Sequence, residues 1–111
     1  MKIAIPMSQG ILCPHFGHCE IFSIIETDEK GIIISKTDLV PPEHEPGVLP
    51  AWLNSLGVNH IIAGGMGSRA QDLFFDNNIS VIVGAPQIKP EELVELFING
   101  TLTSGDNVCD H

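Results

Sequence analysis

The sequence predicts an α/β fold built on a mixed five-stranded sheet. Three observations lead there. The later strand candidates are separated by helical patterns, which calls for parallel crossovers. Two apolar runs near the start are joined by a short polar turn, which calls for an antiparallel hairpin. The chain has 111 residues, 43% of them hydrophobic, enough to bury one core as one domain over 1–111.

Each element follows from its residues. Residues 2–6 are a short apolar run closed by Pro6, a first strand. Residues 20–26 (EIFSIIE) and 31–36 (GIIISK) are β-rich and flank the polar turn 27–30. Residues 37–46 hold Pro41, Pro42 and Pro46 and read as a loop. Leu49, Trp52, Leu53 and Leu56 recur at helical spacing, with Pro50 in the first turn and Gly57 at the stop. Residues 59–63 form a strand. A helix then opens at Ser68, where Gln71 three residues on suggests a capping box, and runs to about Asn77. Residues 79–83 give the last strand. Pro90, Glu91 and Glu92 start a final helix that buries Leu93, Leu96 and Phe97 and ends near Gly100. If the first strand and the last two are parallel, the loops after residues 6 and 63 leave the same end of the sheet. Open α/β sheets bind ligands at that end.

Charge narrows the function. The net charge is −9, with five histidines counted as neutral. That argues against nucleic acid and anionic membranes, which recruit Lys/Arg surfaces. No apolar run reaches ~18 residues, so no transmembrane helix is expected. Met1-Lys2 opens directly into Ile3-Ala4-Ile5 with no leader pattern, and a cytoplasmic location is expected. Three cysteines are too few for a disulfide scaffold. In a reducing compartment they read as metal ligands or reactive thiols.

Two of the three cysteines and two of the five histidines stand in one heptad, Cys13-Pro14-His15-Phe16-Gly17-His18-Cys19. Cys109 and His111 add one of each at the end. Thiolates and imidazoles are soft and borderline metal ligands. Four ligands within seven residues would strain to enclose one zinc ion, so a subset joined by Cys109 or His111 is sterically easier. Four-cysteine ligation of a [4Fe–4S] cluster by one chain is excluded by count. A mixed Cys/His site, a site shared across a homo-oligomer, and a preassembled cluster held by few ligands stay open. Against these stand plainer readings: a buried apolar cysteine, solvated histidines and a frayed tail.

The second feature is Gly64-Gly65-Met66-Gly67-Ser68, between a strand and a helix. Glycines there let main-chain amides approach a ligand, and the helix start favours anions. A tight turn is the competing reading. Gly65, Gly67 and Ala70 fit G-x-G-x-x-A, but Gly84-Ala85-Pro86 stands where a dinucleotide site needs an acidic residue. No phosphate-loop motif and no G-x-S-x-G is present. The first strand has no carboxylate for two-metal hydrolysis. Met66 is read as packing in preference to a thioether ligand, His60 as structural and His44 as solvated. Arg69 is divided between an exposed residue and an anion partner.

Together, His15-Phe16-Gly17-His18 before an apolar strand and the run from Ile61 to Ala70 (IIAGGMGSRA) resemble the dinitrogenase iron–molybdenum cofactor-binding family. That family includes NifX-like proteins and NifB-type C-terminal domains. The resemblance covers nearly the whole chain. It implies a three-layer ribonuclease-H-like fold with helices on both sheet faces and no nuclease activity. It also implies binding or carrying of iron–sulfur or molybdenum–iron clusters. Many members have arginine after H-F-G where this chain has His18, and many lack the flanking cysteines.

The expectation is therefore a non-enzymatic cluster carrier or scaffold. Cys13, His15 and Cys19 supply ligands, with His18 or Cys109 and His111 completing the shell. Gly65, Met66, Gly67 and Ser68 line the opposite wall. A donor or acceptor protein is the expected partner. The alternative is a structural or sensory mononuclear zinc protein. A thiol enzyme is the third reading, and it would need an accessible cysteine of low pKa.

Overall fold

The computed structural model describes residues 1–16, 19–43 and 47–102. In chain order the elements are β1 (Lys2–Ser8), β2 (Ile11–Leu12), β3 (Ile21–Thr27), β4 (Ile33–Leu39), α1 (Val48–Ser55), β5 (His60–Ile62), α2 (Ser68–Asp76), β6 (Ser80–Ile82) and α3 (Pro90–Ile98). The sheet runs β4-β3-β1-β5-β6, with β2 paired to β1. β1, β5 and β6 are parallel, β2 and β3 pair antiparallel with β1, and β4 pairs antiparallel with β3.

Period-two alternation splits the core between the two faces. Ala4, Phe22, Ile24, Ile61 and Ala63 pack with Leu49 and Leu53 of α1 and Phe74 of α2. Ile3, Ile5, Met7, Ile25 and Ile62 pack with Leu93 and Val94 of α3. The result is the expected α/β architecture with helices on both faces of a mixed sheet.

Four details differ from the sequence reading. A sixth strand, β2, follows β1 through Gln9 (φ 55°) and Gly10 (φ 83°), the two positive dihedrals of a type I′ hairpin. Pro6 lies inside β1 and does not end it. Its carbonyl accepts the Cys13 N–H at 2.9 Å, and that side of β1 asks Pro6 for no donor. β4 continues to Leu39, because Phe22 pairs with Leu39 and the Ser23 hydroxyl donates to Asp38 Oδ1 at 2.7 Å. The capping box does not form. Gly67 is the N-cap and Ser68 is already helical, while Gln71 Nε2 donates to the Met66 carbonyl at 2.9 Å. His60 is structural: its ring lies 5.1 Å from that of Phe97. Burial, and then the N-terminal charge, hold its imidazole below the ordinary value.

Candidate functional site

The site is assembled from loops at one end of the parallel strands. After β2 the chain turns over the end of β1, and Leu12 N–H donates to the Ile88 carbonyl at 3.1 Å. Gly65 N–H then donates to the Pro14 carbonyl at 2.8 Å, and Phe16 N–H to the Gly65 carbonyl at 3.0 Å. These bonds form a parallel bridge between His15 and Gly65. Gly84 N–H donates to the Gly64 carbonyl at 2.6 Å and ties in the loop after β6. Main-chain bonds thus knit the cysteine–histidine loop to the glycine loop, and the glycine loop to the segment after β6.

Two side-chain facts hold this arrangement. A Cβ on Gly64 would sit 3.0 Å from the Pro14 carbonyl oxygen and 3.2 Å from that of Cys13, so any side chain there would require the main chain of the facing loop to move by a few tenths of an ångström. Phe16 points into the core, edge-on to Phe74 at 5.4 Å and to Phe22 at 6.1 Å. Sequence reasoning passed over Phe16 as an anchor. Its signal was one large apolar ring in a heptad otherwise rich in ligand-type side chains.

The predicted ligands are placed differently from one another. Cys13 is 3% exposed, and its thiol donates to the His15 carbonyl at 3.1 Å. His15 is exposed and Cys19 half-buried. Both thiols are free. Burial, with the neighbouring Cys13 second, pushes the Cys19 thiol up to about 11. The apo protein therefore keeps Cys19 protonated at neutral pH, the opposite of the low-pKa thiol a cysteine enzyme needs. Among the described residues, no three of His, Cys, Asp or Glu converge on one point as metal ligands. Cys13 is turned into its own loop while His15 faces outward. His18, Cys109 and His111 lie outside the described residues, as does His44.

On the glycine side, Gly65 is buried, Gly67 half-buried and Ser68 exposed at the start of α2. No side-chain cap and no acidic residue occupies the first turn of α2. No carboxylate of that turn therefore offsets the positive end of the helix dipole. The Met66 side chain is fully buried in the core, the packing role expected for it. Arg69 is exposed.

Residues 1–100 match the family described as "Dinitrogenase iron-molybdenum cofactor". An uncharacterized protein of Methanocaldococcus jannaschii is 36% identical over 107 residues, covering 92% of this chain and 89% of its own. The crystal structure of PH0822 superposes with a TM-score of 0.84 at 25% identity, over 95% of this chain and 96% of that one. The apo form of the orange protein from Desulfovibrio gigas gives 0.72 at 18% identity, over 96% and 93%, a likeness of fold alone. By the match over nearly its whole length, and by the relative that shares more than a third of its residues, this chain belongs to the dinitrogenase iron–molybdenum cofactor family.

Proposed function

We propose that this protein binds and carries an iron–sulfur or iron–molybdenum-type cluster, handing it between proteins without transforming it. The observation that carries this reading is the His15–Gly65 bridge. It sets the loop that carries Cys13 and His15 against the glycine loop and the N-terminal end of α2. That arrangement suits a cluster: cationic iron takes thiolate and imidazole, and N–H donors can hydrogen-bond its anionic sulfides.

In this reading Cys13, His15 and Cys19 supply ligands. His18, Cys109 or His111 completes the shell, and Gly65, Met66, Gly67 and Ser68 line the opposite wall. Capture draws the Cys13 thiol off the His15 carbonyl and replaces a proton on each cysteine with iron, so loading releases protons. The elevated Cys19 pKa suits a carrier: without metal that thiol stays protonated. The acidic surface favours a cationic face on the donor or acceptor protein.

The test is anaerobic reconstitution with iron, sulfide and molybdate. Metal and acid-labile sulfide are then assayed and the visible spectrum recorded. Wild type should retain iron and sulfide together, and the Cys13→Ala/Cys19→Ala double variant should lose most of both while keeping its circular dichroism. Equal occupancy in the double variant overturns the ligand assignment. Colourless protein holding zinc alone, unexchanged on reconstitution, overturns the cluster reading in favour of mononuclear zinc.

A further inference from the structure

The sheet ends on one side in β4, and that edge is bare among the described residues. Six of its seven residues are exposed. Ile34 is 59% exposed and Val40, one residue past the strand, 78%. An open edge with apolar side chains is a template for another strand.

The phase of the ladder says which groups are on offer. Thr27 N–H donates to the Met1 carbonyl at 2.8 Å, so odd-numbered residues of β3 turn their main chain toward β1 and even-numbered ones toward β4. Opposite those even residues stand Ser35, Thr37 and Leu39. Lys36 and Asp38 therefore present their N–H and C=O groups outward. The register shift opposite Glu26 and Thr27 confines the regular stretch to residues 35–39.

One strand fits this edge by charge: its own sequence reversed. With Thr37 on a two-fold axis, Lys36 faces the second copy's Asp38 and Asp38 faces its Lys36. Ile34 falls beside the second copy's Val40, apolar against apolar. An axis through Lys36 or Asp38 would set like charges opposite each other. An axis through Ser35 would set Lys36 against isoleucine. An axis between residues would match outward-facing groups with inward-facing ones. Asp38 is already oriented by the Ser23 hydroxyl, and the exposed Lys36 Nζ, 3.0 Å from Glu91 Oε1, would be shared between that carboxylate and the second copy's Asp38. The Asp38 side chain then loses less freedom on pairing.

We infer that β4 is a self-association edge, on which two copies of this chain pair antiparallel about Thr37. The pairing is isologous and closes on itself. It lies two strands away from β1 and leaves the loops of the candidate site uncovered, so it stands or falls apart from the cluster reading. The net charge of −9 on each copy opposes approach, which makes the dimer weak and concentration-dependent.

The experiment is sedimentation equilibrium of the full chain from about 10 μM to about 1 mM, a span that covers weak self-association. Wild type should shift with concentration from the 12.0 kDa monomer toward twice that mass. Lys36→Asp sets aspartates opposite each other, and Asp38→Lys sets lysines opposite each other. Each should associate on the order of tenfold more weakly, or not at all. An equimolar mixture of the two restores both pairs and should form a heterodimer. A wild type that stays monomeric throughout overturns the inference, whatever covers the edge. So does a wild-type dimer that both variants reproduce, because the contact would then lie elsewhere, for instance at the exposed Phe75 near β6. Circular dichroism of each variant guards against loss of fold.

Discussion

Gly64 is the residue on which the candidate site depends most sharply. Its missing side chain lets the glycine loop lie against Pro14 and Cys13, and the atoms a Cβ would meet are all main chain. No flexible side chain is there to yield. Gly64→Ala should therefore force the two loops apart, costing about 1–3 kcal/mol as overpacking does elsewhere. Urea denaturation would measure that loss, and cluster retention after reconstitution should fall with it. Wild-type values for both would mean that the loops adjust freely and that the close approach is incidental. At this scale the sequence shows chemistry better than direction. The thiols and imidazoles of the 13–19 heptad are evident as types. That Cys13 turns inward to the His15 carbonyl, while His15 faces solvent, depends on Phe16 anchoring the loop in an aromatic cluster assembled from β3 and α2.

At the scale of elements, α1, α2 and α3 end the same way. In α1, Gly57 N–H donates to Asn54 and Val58 N–H to Leu53. In α2, Asn78 and Ile79 donate to Phe75 and Phe74, and in α3, Gly100 and Thr101 donate to Phe97 and Leu96. Each is a Schellman ending, turned by a left-handed residue: Gly57 at φ 82°, Asn78 at 60° and Gly100 at 71°. These stops are legible in sequence because few residues tolerate that conformation. Gly57→Ala isolates the effect. The new Cβ would stand 3.7 Å from Lys2 Cδ, an ordinary contact, so the cost is the positive φ alone. A loss of about 1–2 kcal/mol is expected on denaturant unfolding, and no loss would show that α1 is not held by this turn. What local signals missed was decided by pairing across the sheet. Residues 37–39 look like part of a proline-rich loop until β3 supplies their ladder. Pro6 looks like a terminator until its neighbours on that side prove to need only its carbonyl.

At the scale of the molecule, the topology explains why the candidate loops come together where they do. From β1 the chain first builds outward through β3 and β4, then returns through α1 to build the other side with β5 and β6. The loops leaving β1 and β5 part at that reversal, the crevice where open α/β sheets take ligands. This much follows from the order of strands and helices in the sequence. The bonds that close the crevice do not, because they join main chains more than forty residues apart. They make a further prediction. A cargo held by Cys13 and Cys19 on one loop and by amides of the other binds only when the loops are together, so it stabilises the folded chain by linkage. At a free concentration about 100 times Kd the gain is about 2.7 kcal/mol, which for a domain of this size raises Tm by roughly 10 °C or more. Anaerobic calorimetry should show that rise in reconstituted wild type, its loss on chelation, and its absence in the Cys13→Ala/Cys19→Ala variant. Protein carrying full iron and sulfide that melts with the apo form would place the cluster on a chain segment that unfolding leaves intact. The bridge between the two loops would then be a feature of the fold and not the seat of the cargo.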